Sequence, residues 1–363
     1  MKKYRTLKNR SNVNVDMYIC ETEDGKYIIA ISELLKNNAE MFVETYNSGN
    51  KQRKNYEENV QDAISEHGNQ IENTLLDAIT DFPVVMPIIP DIIGMPDFQQ
   101  LSLEAVRDFR IHEKTLKCIE DARKKINEIT GKTVRKKIFL NGYSSSGVFA
   151  QRFALIYPEI IGRCLIGGAA GSIPVPTKKI KYPIGIEDYK KLFGKEFNLE
   201  DYKRIKFGYY VGEKEEKDDG NWNLNGEKYN KNDGKIRAPM HDMSFRGITM
   251  PKEVGKMQRE LLGETMNERY KNSIEINKKL GIDIEGIILE GADHRNIFNS
   301  QETATSQLLV KQLLDFHQSN IQLNPKGEGC CENLDLSFQN ERNKQREDDC
   351  SRWMKITGVA KSF

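Results

Sequence analysis

One serine in this chain sits where chemistry could be done. Residues 137–140 read KIFL and run straight into Asn141-Gly142-Tyr143-Ser144-Ser145-Ser146-Gly147. Phe149, Phe153 and Ile156 then recur at helical spacing, and the segment stops before Pro158. A strand that enters a helix through Gly-x-Ser places the serine on a turn so tight that its flanks must be small. A serine hydroxyl is unreactive until an imidazole takes its proton, and a carboxylate must hold that imidazole in the right tautomer. The chemistry on offer is acyl transfer with Ser144 as nucleophile, while Ser146 begins the helix. The five histidines, His67, His112, His241, His294 and His317, make the search for a base short.

The stretch KIFLNGYSSSGVFAQRFALIYPE resembles the nucleophile elbow of α/β-hydrolases of the esterase and polyester-depolymerase type. It departs from G-x-S-x-G at one place. Ser146 stands where the second glycine would be and Gly147 follows one residue later, as in a subset of those enzymes that read G-Y-S-x-S-G. The resemblance covers about residues 40–320, with the elbow as its specific part. It implies the chain order serine, acid, histidine.

That order sets aside His67 and His112, which precede the serine. His317 falls in a closing helix. His294, in LEGADHRN, follows the last apolar strand, where a base would project over the elbow; His241, in APMHDM, is its rival. The acid should follow the strand that ends GYYVGEKEEKDDG. Resembling enzymes carry Gly-Glu-x-Asp there, which matches Glu215, a glutamate where aspartate is usual. Glu216, Asp218 and Asp219 are the alternatives. An oxyanion needs two backbone donors. The resemblance assigns one to Ser145 and the other to the loop Asn47-Ser48-Gly49-Asn50, with Gly49 the choice. That loop replaces the His-Gly motif common in such enzymes.

The implied activity is a serine hydrolase that cleaves a carboxylic ester or related small acyl compound through an acyl-enzyme. A non-catalytic binding protein on the same fold, a peptidase and an acyltransferase are the alternatives, because fold and triad do not fix the acyl acceptor.

The elements that must position these residues alternate between short β-rich runs and long amphipathic stretches. That pattern predicts an α/β fold, a mostly parallel sheet with helices on both faces. Strands are expected over 17–21 and 26–32, as a hairpin through Glu23-Asp24-Gly25, and over 41–46, 82–89, 137–140, 162–166, 205–211 and 282–289. Helices are expected over about 69–80, 102–130, 148–157, 253–281 and 301–317. Segments 172–204 and 213–250 follow the two strands that flank the elbow, so they are expected to cap the pocket, with Tyr182, Ile184, Trp222 and Phe245 as an apolar wall. Residues 1–323 form the expected hydrolase domain and 324–363 a polar C-terminal extension.

Composition bounds the partners. Lys+Arg 55 against Asp+Glu 54 leaves a net charge of +1, so no bulk field steers the chain to nucleic acid or an anionic membrane. The longest apolar run, 82–95, is interrupted by Pro83, Pro87, Pro90 and Asp91, which spoils a membrane span. The basic start MKKYRTLKNR leads to no apolar segment of a signal peptide, and six scattered cysteines suit a reducing compartment. A cytoplasmic location is therefore expected. No metal or cofactor is expected either. The EF-hand-like start at Asn221 has Asn232 at the twelfth position instead of a glutamate, and Cys330, Cys331 and Cys350 match no common zinc spacing. The run 167–171 lacks the lysine of a phosphate loop. Oligomeric state is not legible.

Overall fold

In a computed structural model, residues 1–8, 12–45, 54–73, 81–90, 92, 98–169, 171, 173–212, 227–229, 236–239, 251–264 and 266–289 are described. In chain order the elements are β1 (Lys2–Lys8), β2 (Asn14–Thr22), β3 (Gly25–Ser32), β4 (Ala39–Glu44), α1 (Tyr56–Asn73), β5 (Val84–Pro87), α2 (Leu103–Arg107), α3 (Ile111–Thr130), β6 (Val134–Tyr143) and α4 (Ser145–Ile156). They continue with β7 (Ile161–Gly167), α5 (Tyr189–Phe193), α6 (Leu199–Lys203), β8 (Lys206–Gly212), β9 (Glu227–Tyr229), β10 (Ile236–Pro239), α7 (Lys252–Leu262), α8 (Met266–Lys279) and β11 (Ile284–Leu289).

Nine strands make one sheet in the order β1-β2-β3-β5-β4-β6-β7-β8-β11. The pairs from β1 to β5 are antiparallel, and every pair from β5 to β11 is parallel. Strand β6 lies inside the sheet, between β4 and β7, and is apolar in both directions. Ile138 and Leu140 pack into one core with α3 and α4, while Phe139 packs into a second with Val60, Ala63 and Ile64 of α1. A strand buried on both faces reads as a continuous apolar run, which is why KIFL stood out. Helix α4 is buried from Ser146 to Ile156, as a helix enclosed on all sides must be.

Several elements differ from expectation. Strand β1 carries too many lysines to show an apolar face, yet it pairs along β2 as an edge strand, where lysine is common. Of the helix expected over 69–80, residues 69–73 belong to α1, which begins at Tyr56, and 74–80 lie outside the described residues; Asn55 Oδ1 accepts from the Glu58 N–H at 3.0 Å as the start signal of α1. The long helix 102–130 divides into α2 and α3 at Arg110, whose φ of 52° is left-handed. The helix 253–281 divides at Gly263, φ 114°, where a Cβ would stand 2.5 Å from that of Glu268.

The described part of the first expected cap, 173–204, is a packed crossover. Tyr182 and Ile184, expected on a pocket wall, are buried in cores. Tyr182 donates its hydroxyl to the Leu101 carbonyl at 2.6 Å, and Tyr189 donates to that of Ile156 at 2.8 Å. The chain here must return from the carboxyl end of β7 to the start of β8, and these apolar residues fasten that return against α4, α7 and α8. Of 213–250, only the antiparallel ribbon β9–β10 is described; Trp222 and Phe245 lie outside the described residues. The chain divides into units Met1–His317 and Gln318–Phe363, the second lying outside the described residues. Among the described residues, no helix is long and apolar enough to cross a membrane.

Candidate active site

Ser144 joins the central strand to α4. It is the helix N-cap, with φ 56° and ψ −122°, a conformation that costs a non-glycine residue about 1–3 kcal/mol. Its surroundings over-determine it. The Ser144 N–H donates to the Gly167 carbonyl at 2.9 Å, and the Ser144 carbonyl accepts from the Val148 N–H at 3.0 Å. The first turn of α4 lies directly on the end of β6, since a Cβ on Gly142 would stand 2.2 Å from the Ser146 carbonyl oxygen.

Ser146, the departure from the expected pattern, has a specific partner. Its hydroxyl donates to the Tyr143 carbonyl at 2.8 Å and accepts from the Tyr143 N–H at 3.1 Å. Gly147, one residue on, leaves no room for a side chain, since a Cβ there would meet the Gly167 carbonyl oxygen at 2.8 Å and the Gly142 carbonyl oxygen at 3.1 Å. Gly167 is constrained in turn. It pairs with Tyr143 on one side and Tyr210 on the other, and these two rings stack 6.0 Å apart at 22°. A Cβ on Gly167 would fall 2.0 Å from the Tyr210 ring.

This arrangement leaves Ser144 and Ser145 partly exposed at the amino end of α4. Helix geometry directs the first-turn N–H groups, that of Ser145 included, out of this end, and the helix dipole favours negative charge there. The remaining expected site residues, Gly49, Glu215, Asp218, Asp219 and His294, lie outside the described residues, as does His241. The described strands do bear on where the chain enters those segments. Strands β4, β8 and β11 are parallel to β6, so their carboxyl ends face the same edge as Ser144. Strand β8 ends three residues before Glu215, and β11 five before His294.

Among the described residues, other groups do not compete for the chemistry. His112 stacks on Tyr157 with ring centroids 6.0 Å apart, beyond the far end of α4. Twelve helical residues, about 18 Å, separate that end from Ser144. Burial pushes the His112 imidazole down to about 4, so it is neutral at pH 7. A cavity of about 380 Å³ lined by His112, Tyr157, Phe193 and Lys195 belongs to that remote end. Cys20, Cys118 and Cys164 are free and buried, and burial raises all three thiols, leaving no reactive thiolate among them.

Two features near the elbow escaped the sequence. Asn141 Nδ2 donates to Glu44 Oε1 at 3.3 Å, linking the carboxyl ends of β6 and β4. Tyr210 fixes the glycine opposite it. Neither residue carries a local signal, because each matters through a partner on another strand.

A central strand ends in a strained serine that opens a helix, within a parallel block flanked by an antiparallel start. The fold is that of the α/β-hydrolases. No protein-family model matches the chain, and no curated protein matches its sequence. Among solved structures, it is similar to poly(aspartic acid) hydrolase-1 from Sphingomonas sp. KT-1, at 13% identity over 85% of this chain and 100% of that one, TM-score 0.47. It is also similar to a poly(3-hydroxybutyrate) depolymerase from Bordetella parapertussis, at 12% over 84% and 89%, TM-score 0.45. An S-formylglutathione hydrolase from Agrobacterium tumefaciens aligns at 13% over 88% and 99%, TM-score 0.43. These likenesses are remote, and the fold rests on the strand order and the elbow.

Proposed function

We propose that this α/β-hydrolase-fold chain is a serine hydrolase that cleaves a carboxylic ester or related acyl compound through an acyl-enzyme. The observation that carries the reading is the conformation of Ser144. Backbone strain held by three glycines and a serine clamp has no evident use in packing, and it lifts one hydroxyl to the tip of the central strand. In this reading His294 accepts the Ser144 proton as the oxygen attacks the acyl carbon. Glu215 holds the imidazole and stabilises its charged form. The N–H groups of Ser145 and Gly49 receive the oxyanion, an interaction worth about a hundredfold to a thousandfold per donor. The imidazolium then gives the proton to the leaving alkoxide, and water repeats the sequence to release the acid.

A fluorophosphonate probe tests this directly. Wild type should label covalently and hydrolyse an activated ester, and Ser144→Ala should do neither. Labelling that survives Ser144→Ala, or a wild type that never labels, would remove the proposal.

A further inference from the structure

Arg259, in the last turn of α7, is 8% exposed, and its Nε and Nη2 have no hydrogen-bond partner. Among the described residues, no ion pair joins it to a carboxylate. A buried guanidinium without partners is costly, and removal of a cation from water is ordinarily repaid by an anion. A second arginine is close enough to feel its charge. Arg269 of α8 donates from Nε to the Gly171 carbonyl at 3.1 Å, and from Nη1 to the Glu264 and Gly263 carbonyls at 2.5 and 3.4 Å. These acceptors are all neutral carbonyls. Burial lowers both arginines from their ordinary values, and the charge of Arg259 lowers Arg269 further. The nearby carboxylate of Glu264 acts on both in the opposite sense, and that of Glu268 does so on Arg269.

The place of this pair gives it meaning. Gln258 Nε2 also donates to the Gly171 carbonyl, at 2.7 Å. Gly171 follows Gly167, the residue that accepts the Ser144 N–H, by four residues, a chain distance of at most about 14 Å. Arg269 and Gln258, the helix neighbour of Arg259, are thus fastened to the loop that leaves the elbow.

We propose that Arg259, with Arg269 beside it, forms an anion-binding subsite for a carboxylate on the substrate, so that the ester or acyl compound cleaved at Ser144 is acidic. The assignment of the anion to the substrate rests on the hydrolase reading; the anion site itself does not. Nε and Nη2 of Arg259 are shielded from bulk water, so binding there requires a local opening at α7. Arg269 supplies positive charge and holds the loop, and Arg259 supplies the free donors.

Two measurements test this on the full chain. The first is the melting temperature with adipate, with inorganic phosphate and with sodium chloride at matched ionic strength. Adipate at ten times its Kd should raise the Tm of wild type by about 2–4 °C over the salt control. Arg259→Met should abolish that rise, and its own Tm without adipate should equal or exceed wild type, because an uncompensated buried charge is gone. No adipate effect on wild type would overturn the proposal whatever the variant does. An effect of phosphate alone would overturn it too, since the site would then take a tetrahedral anion. An adipate effect that persists in both Arg259→Met and Arg259→Gln would place the anion elsewhere and overturn it as well.

The second measurement compares p-nitrophenyl monoesters of straight dicarboxylic acids with neutral acyl esters of matched length. The ratio of kcat/KM, acidic over neutral, should fall about tenfold to a hundredfold in Arg259→Met, mainly through KM. An unchanged ratio would overturn the substrate assignment. Adipate binding without any esterase activity would instead fail the hydrolase reading and leave the anion site standing.

Discussion

The two ends of the same three strands are built on opposite principles. At the carboxyl ends of β6 and β7, side chains are removed. Gly142 and Gly147 let backbone meet backbone, Gly167 makes room for the Tyr210 ring, and Ser144 is held in a conformation that most residues avoid. At the amino ends, side chains are added. Glu40 of β4 and Arg163 of β7 form a buried ion pair that reaches across β6, with the Arg163 guanidinium 4.8 Å above the Phe139 ring. Lys137 reinforces that end by donating to the Ile161 carbonyl at 3.2 Å. Strain at one edge is tolerable because the other edge is fastened. The difference separates a part of the sheet that serves chemistry from a part that serves the fold.

The largest effects should fall on activity alone, at the carboxyl edge. An amide in place of the triad acid leaves the histidine in the wrong tautomer and costs about ten-thousand-fold in turnover. Glu215→Gln should therefore lose at least two orders of magnitude, and Asp218→Asn and Asp219→Asn should stay within about tenfold. All three should melt like wild type. Rates with one activated ester at a pH above that of histidine titration decide it, and a crippled Asp218→Asn beside a normal Glu215→Gln moves the acid three residues downstream.

Next come effects on stability alone, at the amino edge. Glu40→Gln leaves the Arg163 charge buried without its partner and should cost about 3–5 kcal/mol. The double variant Glu40→Met, Arg163→Met removes both charges and should come within about 1 kcal/mol of wild type or exceed it. Denaturant titration gives both numbers. Turnover per folded molecule should be unchanged in each, and a drop there would mean that the two edges are not separable.

How much of this was legible in the sequence follows the same division. The central strand and elbow were readable because their signals are local: KIFL buried on both faces, then Gly-x-Ser, then Phe149 and Phe153 at helical spacing. The hairpin of β2 and β3 was readable for the same reason, through Asp24-Gly25. The breaks at Arg110 and Gly263 were not, because the amphipathic pattern runs on through each of them while the backbone turns. Tyr182 and Ile184 misled for a related reason. Apolar residues in a segment without strand signal look like a pocket wall, and only the partners Leu101, Val254 and Leu262 show that they fasten a crossover. The acid and base were named from chain order, and they lie outside the described residues.

A smaller effect should touch both properties. Gly167→Ala sets a methyl group 2.0 Å from the Tyr210 ring, and the overpacking should cost about 1–3 kcal/mol while shifting the carbonyl that holds Ser144. Tyr210→Leu makes room, so the double variant should be more stable than the sum of the single losses by about 1 kcal/mol, measured as a double-mutant cycle. Strict additivity would mean that the ring does not set the glycine.

The smallest effect belongs to Ser146, and it asks how the strain at Ser144 is held. The Ser146 hydroxyl both donates to and accepts from the Tyr143 backbone, one residue before the nucleophile. Ser146→Ala removes both bonds at a net loss of about 0.5–1.5 kcal/mol each. Gly142, Gly147 and Gly167 still close the turn, so fluorophosphonate labelling should survive and turnover should drop by no more than about tenfold. Ser146→Gly loses the same bonds and adds backbone freedom worth about 0.5–1 kcal/mol, so it should be the less stable variant even though it restores the commoner G-x-S-x-G pattern. The opposite ranking would show that the clamp is incidental and that the turn wants glycine there. Labelling lost in Ser146→Ala but kept in Ser144→Ala would mean that the nucleophile is two residues further along, and the strain at Ser144 would then need another explanation.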